Sequence, residues 1–118
     1  MTRTGTRRAL TLVGSLLLAG CVTTNQVRVG GIDYLVADVS VGVIDTAIVA
    51  VTRPGIDIER ARRTRRTFER VAEPRFAALC ERRGKRPTTD GLRPRDVAEF
   101  TVEEGFPTWT FGRRCVSP

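Results

Sequence analysis

The sequence contains no histidine, a single lysine and a single tryptophan, and only two serines after residue 20. Histidine is the commonest general base, the usual activator of serine and cysteine nucleophiles, and a frequent metal ligand. Its absence excludes most familiar catalytic arrangements. The sequence also has no glycine-rich phosphate loop and no cluster with metal-ligand spacing. We therefore expect a protein that is not an enzyme and that binds neither a cofactor nor a metal.

The chain is basic, but only mildly so once its first twenty residues are set aside. The formal net charge is +7, and Arg3, Arg7 and Arg8 belong to that leader, which leaves 17 basic residues against 13 acidic ones. No aromatic residues alternate with the arginines in the manner of single-stranded nucleic-acid sites. We therefore expect no nucleic-acid partner. The length of 118 residues, of which 41% are hydrophobic, suits one folded domain.

Residues 1–20 have the organisation of a secretory signal peptide. Residues 1–8 carry three arginines and no acid, and residues 9–20 are twelve uncharged, mostly apolar residues. Such a run is too short to cross a hydrocarbon core of about 30 Å, which takes about 20 helical residues. The segment therefore indicates export rather than a transmembrane helix. The pair Arg7-Arg8 leaves twin-arginine export open beside the ordinary Sec route.

The leader ends in Leu18-Ala19-Gly20-Cys21, which resembles the lipobox of bacterial lipoproteins. The resemblance covers about the first fifth of the chain. It implies cleavage before Cys21, a diacylglycerol on the Cys21 thiol and an acyl chain such as palmitate on its amino group, which together would anchor the protein in a membrane. Val22 stands where inner-membrane lipoproteins of enteric bacteria carry aspartate, which favours the outer membrane and a domain facing the periplasm. The alternative is a plain signal peptide with a chance cysteine.

Two further cysteines, Cys80 and Cys115, remain after Cys21 is assigned to lipid. In an oxidising compartment, an isolated pair in a small domain is most simply a structural disulfide. A redox-active pair usually has Cys-x-x-Cys spacing, which these two residues lack. We therefore predict a bond between Cys80 and Cys115.

The first half of the exported chain is predicted to be a short tether followed by strands. Residues 21–26 are polar and form the tether, and residues 27–118 form the domain. Alternating apolar residues on both sides of Gly30-Gly31 predict a hairpin, because paired glycines supply the positive φ angles of its turn. The apolar run continues over residues 36–43, with a bend at Gly42. A further strand over residues 47–51 ends at the turn Arg53-Pro54-Gly55.

A single long helix is predicted over residues 58–83, with Asp57 as its N-cap and Gly84 at its end. Its apolar residues recur every three or four positions and predict one buried stripe; they are Ile58, Ala61, Phe68, Ala72, Phe76 and Leu79. Pro74 removes a backbone hydrogen bond, so a kink or a split is expected near residues 70–73.

The last third of the chain is predicted to be a loop and a second hairpin. Residues 85–95 lack periodicity and contain two prolines and a glycine. Apolar residues alternate at 98–102, and Trp109, Phe111 and Cys115 share one face of a final strand. The expected fold is a small α+β two-layer sandwich of ββ(β)αββ order, with an antiparallel sheet and one long kinked helix. Tyr34 and Trp109 are expected in its core rather than in a ligand pocket.

The most visible charged feature is the arginine-rich first half of the predicted helix. Arg62, Arg63, Arg66 and Arg70 form a candidate surface for anionic groups such as lipid headgroups or lipopolysaccharide phosphates. The alternative is a solvated face paired along the helix, with Glu59 beside Arg63 and Glu69 beside Arg65.

These features lead to three hypotheses for function. The first is a membrane-anchored lipoprotein with a non-catalytic interaction or structural role and a protein partner in the envelope. The second is an anionic-ligand module that uses the arginine-rich face. The third, an enzyme without histidine, would need a buried carboxylate in a cleft. The adjacent pair Glu103-Glu104 is instead expected to be solvated in a turn.

Overall fold

The computed structural model describes residues 23–41 and 45–118, without the side chains of residues 23 and 39–41. The predicted signal peptide, the lipobox with Cys21 and the bend at Gly42 lie outside the described residues. The structure confirms a small α+β sandwich, in which an antiparallel sheet packs against helices on one face.

The chain enters the sheet through the predicted hairpin. Strand β1, Thr23–Val29, pairs antiparallel with β2, Ile32–Val41. Gly30 and Gly31 form the turn with φ angles of 61° and 78°, which residues with a side chain rarely adopt. Strand β1 begins within residues 21–26, the predicted tether. Although residues 23–26 are polar, their backbone pairs with residues 35–38 of β2.

The remaining strands extend the sheet on the other side of β2. Strand β3, Thr46–Thr52, lies between β2 and the last strand, β6, Phe106–Val116. The far side of β6 pairs with two shorter strands, β4, Arg86–Thr88, and β5, Ala98–Glu103. The path through the sheet is therefore β1-β2-β3-β6-β4, with β5 also beside β6.

The arginine-rich segment forms two helices in place of the single one predicted. Helix α1, Ile58–Arg63, begins at the predicted cap, where the Asp57 carboxylate accepts a hydrogen bond of 3.0 Å from the backbone N–H of Arg60. Thr64 then leaves the helical conformation, with φ −116° and ψ 41°, and its hydroxyl donates to the Arg60 carbonyl at 2.9 Å.

Helix α2, Arg65–Glu81, continues through Pro74, so of the two outcomes expected near residues 70–73, a kink or a split, the split is wrong. Pro74 lies on the exposed side of α2, where water can satisfy the carbonyl that loses its backbone partner. Gly84 follows in the turn after the helix, with φ 70°.

Residues 85–95, expected to be a plain loop, contribute β4 and the start of a short helix, α3, Pro94–Val97. Both elements span only three or four residues, which is too short for hydrophobic periodicity to reveal them.

The core lies between the inner face of the sheet and helices α1 and α2. Tyr34 and Trp109 are buried there as expected, at 1% and 8% exposure, and the rings of Tyr34 and Phe68 meet edge to face with centroids 5.8 Å apart. The predicted helical stripe is buried except for Ile58, which is 37% exposed at the start of α1. The indole N–H of Trp109 donates to the Ala61 carbonyl at 2.8 Å and joins β6 to α1.

Candidate functional site

The four arginines proposed for anion binding lie on two consecutive helices and are all exposed: Arg62 and Arg63 on α1, Arg66 and Arg70 on α2. Arg62 differs from the others, because its guanidinium lies over the ring of Phe100 at 5.1 Å and its Nε is 3.5 Å from Glu59. Arg63, Arg66 and Arg70 form no ion pair with any other residue that the structure describes. We call Arg63, Arg66 and Arg70 the arginine face.

The ion pairs along the helices differ in part from those expected. Glu59 pairs with Arg62 rather than with Arg63. The expected pair between Arg65 and Glu69 is present, with an Nε–Oε1 distance of 3.8 Å. The arginine face therefore keeps its charges free to meet a ligand, whereas its neighbours are partly neutralised.

Two carboxylates, those of Glu69 and Glu73, lie between residues of the arginine face and contact a residue of the sheet. Arg66, Glu69, Arg70 and Glu73 surround a shallow depression. Arg113 of β6 donates to Glu69 at 2.6 Å and to Glu73 at 3.2 Å. The carboxylates between the exposed arginines are thus compensated by a cation on their inner side.

Arg113 is a buried cation that has several polar contacts. Its side chain is only 6% exposed, and it also donates to the carbonyls of Val97 at 3.2 Å and of Gly112 at 2.7 Å. Its guanidinium lies 4.9 Å from the ring centroid of Phe76. Sequence reasoning missed this residue, although the alternation that places Trp109, Phe111 and Cys115 on the inner face also places Arg113 there.

A second buried pair joins β2 to α2. The Asp38 side chain is 4% exposed and accepts a hydrogen bond of 2.6 Å from Nε of Arg75. Asp38 continues the inward series of Tyr34 and Val36, so strand alternation was again the available signal. Both buried pairs connect the helix to the sheet, and in that role they hold the two layers together.

The end of α2 is tied to the sheet by a covalent bond and by a further charge cluster. Cys80 and Cys115, the predicted pair, have their sulfur atoms at bonding distance and their Cα atoms 5.3 Å apart. The Asp45 carboxylate accepts hydrogen bonds from Lys85 and Arg83, and its carbonyl accepts from the backbone N–H of Cys115 at 2.8 Å. The hydrogen bond from Lys85 lowers the pKa of Asp45, against a smaller opposing effect of burial.

The outer face of the sheet carries a cleft of about 350 Å³. Ile48, Leu92 and Thr110 line it together with the charged side chains of Arg95 and Glu99. The cleft therefore has a small apolar floor and is lined by side chains of both charges. The pair Glu103-Glu104 lies elsewhere, at the exposed turn between β5 and β6, as expected.

Within residues 23–41 and 45–118, no group of three or more acidic or cysteine side chains is placed to hold a metal ion. No helix in this part of the chain is long and apolar enough to cross a membrane. Comparison of the chain with protein-family models, with curated proteins and with solved structures gives no match.

Proposed function

We propose that the protein is a lipid-anchored lipoprotein of the bacterial envelope, whose domain has a non-catalytic interaction or structural role with an envelope protein as partner. The observation that carries the proposal is the sequence Leu18-Ala19-Gly20-Cys21, because a basic start, an apolar run and this box follow one another at the distances of a lipoprotein leader. The anchor would hold the domain on the periplasmic side, with the outer membrane favoured by Val22.

Two features of the domain support this proposal. The pairing of Cys80 with Cys115 suits an oxidising compartment such as the periplasm. The buried charges of Arg113 and Asp38 are each matched by an opposite charge that joins helix to sheet, so they serve packing. A domain stapled in this way suits a small exported module.

The intact mass of the protein from native membranes tests the anchor, with thiol alkylation before and after reduction. We expect a mass that fits acylated Cys21 to Pro118, with two thiols that react only after reduction. A Cys21→Ser variant is the matched control and should lose the acyl mass while keeping the bond between Cys80 and Cys115. An unacylated mass for the wild-type protein would overturn the proposal.

A second candidate function is the binding of a polyanion by the arginine face. It is favoured by the exposure of Arg63, Arg66 and Arg70, since a free guanidinium donates paired hydrogen bonds to phosphate or carboxylate groups. Binding of purified lipopolysaccharide should be lost when all three are changed to glutamate. A control with the same charge change at Arg28, Arg93 and Arg95 should retain it. Equal binding by both variants would exclude this function.

A further inference from the structure

The end of the domain at which β1 begins carries a second group of basic residues, distinct from the arginine face. We call this group the basic pole; it consists of Arg82, Arg83, Lys85, Arg86 and Arg114. Arg82, Arg83 and Lys85 follow the end of α2, Arg86 is the first residue of β4, and Arg114 lies near the end of β6. Arg82, Arg86 and Arg114 are exposed, whereas Lys85 and Arg83 are partly covered and pair with Asp45.

Acidic side chains near the basic pole are fewer than its cations. Asp45 is shared by two of them, Glu81 ends α2, and Asp90 presents its backbone carbonyl to Arg114 at 3.1 Å. Within the part of the chain that the structure describes, five basic side chains therefore stand against three acidic ones, and the pole keeps an excess of positive charge.

The strand register places the basic pole on the side from which the chain enters the sheet. Thr23 of β1 pairs with Asp38 of β2, which pairs in turn with Val49 of β3. Thr46, three residues before Val49 in β3, pairs with Arg114 of β6. At about 3.3 Å per residue, Arg114 lies about 10 Å beyond the level of Thr23. Because β1 runs away from this end, its first residue, Thr23, lies on the side of the sheet that carries the pole.

The short link to Cys21 brings this end of the domain to the membrane. Two residues span at most about 7 Å, which is less than the distance by which the pole extends past Thr23. The headgroup layer on each side of a bilayer is only about 5–7 Å thick. Acyl chains on Cys21 that enter the hydrocarbon would therefore draw the pole into the headgroups.

We infer that the basic pole binds anionic phospholipid headgroups of the leaflet that holds the lipid anchor, and that this contact fixes the orientation of the domain. Cytoplasmic and other anionic membrane surfaces attract clustered lysine and arginine in the same way. The inference rests on the proposed acylation of Cys21. The surface between Arg82 and Arg114 is then covered by lipid rather than by a protein partner.

This orientation turns the arginine face away from the anchoring membrane. Phe68 near the start of α2 contacts Tyr34, and Cys80 near its end is bonded to Cys115, so the helix runs from the far end of the sheet toward the pole. Arg66 precedes Arg82 by sixteen residues, which corresponds to about 24 Å along the helix. The arginine face is thereby presented to a partner across the aqueous space.

Lys85, the only lysine of the chain, provides a native probe of this contact. The acylated protein is added to preformed vesicles of phosphatidylcholine, alone or mixed with phosphatidylglycerol, and acetylation of Lys85 is followed by mass spectrometry. We expect acetylation to be at least about threefold slower on the anionic vesicles. Salt of about 1 M should abolish the difference, because it shortens the screening length to about 3 Å.

Two charge-matched variants locate the protection. Arg82→Glu with Arg86→Glu should remove the effect of anionic lipid on Lys85, whereas Arg63→Glu with Arg66→Glu should leave it intact. An intact bond between Cys80 and Cys115 and an unchanged circular dichroism spectrum show that each variant is folded. Equal acetylation on neutral and anionic vesicles would overturn the inference, as would loss of protection in the Arg63 and Arg66 variant.

Flotation with pure phosphatidylcholine vesicles separates this inference from the proposed anchor, since it depends on acyl chains alone. Protein that floats while Lys85 is equally reactive on both vesicle types has its anchor but no headgroup contact. Protein that fails to float has no anchor, and the proposed function falls together with the inference.

Discussion

The guanidinium of Arg113 donates a hydrogen bond of 2.6 Å to the carboxylate of Glu69, across the boundary between the last strand and the long helix. Glu73 adds a second, longer contact of 3.2 Å. The three side chains differ in exposure, at 6% for Arg113, 23% for Glu69 and 54% for Glu73. The cation is therefore withdrawn from water, and Glu69 is its principal partner.

Replacing Arg113 with methionine should lower the free energy of unfolding by about 2–3 kcal/mol, because Glu69 then keeps its charge in a partly buried place with only its longer, more exposed contact to Arg65. Glu73→Gln should cost less than about 1 kcal/mol, since Glu73 is more exposed and Glu69 remains paired with Arg113. Urea unfolding followed by circular dichroism measures both. Equal losses in the two variants would contradict this division of roles.

Removal of the bond between Cys80 and Cys115 should be more costly. The two residues are 35 positions apart, and in the chain-entropy model closing a loop of that length contributes about 4 kcal/mol. We expect a variant with alanine at both positions to lose about that much unfolding free energy. Reductant should destabilise the wild-type protein to a similar degree and leave the variant unaffected. A response of the variant to reductant would show that the effect does not come from this bond.

Gly112 should not tolerate a side chain. A Cβ atom at this position would lie 2.3 Å from the carbonyl oxygen of Asp96, so α3 and β6 would have to move apart. We expect Gly112→Ala to lower the unfolding free energy by about 2–3 kcal/mol, as overpacked sites do. Thr110→Ala, on the same face of β6, serves as the control and should cost clearly less. A fully stable Gly112→Ala protein would show that this contact is easily relieved.

Sequence alone predicted the elements whose signals are local. Gly30-Gly31 marks its hairpin because the turn requires positive φ angles, and Asp57 marks the start of α1 because its carboxylate reaches a free backbone N–H. The pairing of Cys80 with Cys115 followed from elimination among three cysteines. Each of these inferences depended on only a few neighbouring residues or on a very small set of alternatives.

The features that sequence missed depend on tertiary context. Pro74 suggested a break in the helix, but its exposed position makes the lost hydrogen bond tolerable, and the break falls at Thr64 instead. Strand β4 has three residues and is defined only by its pairing with β6. The basic pole is dispersed in sequence from Arg82 to Arg114 and becomes one surface only when the register of the sheet is known. The arginine face, by contrast, was visible at once because it is contiguous.

The cluster around Asp45 should make stability depend on pH in the acid range. The hydrogen bond from Lys85, with a further one from Arg83, lowers the pKa of Asp45 below its ordinary value of 3.8. A carboxyl group with a lowered pKa contributes stability above the pKa of its unfolded state and loses it as the pH falls through the folded value. This contribution should therefore be complete at neutral pH and disappear as the pH falls below about 3.8.

Asp45→Asn removes the charge but keeps a residue that accepts the φ of 54° at this position. We expect the variant to be less stable than the wild-type protein at neutral pH, and the difference to shrink as the pH falls below about 3.8, because protonated Asp45 no longer pairs with Lys85. Midpoints of urea unfolding measured across this range test the expectation. Asp33→Asn, which changes the net charge equally but lies on the exposed hairpin, controls for the overall charge of the protein. A difference between wild type and Asp45→Asn that stays constant with pH would mean that the cluster contributes through shape rather than through charge.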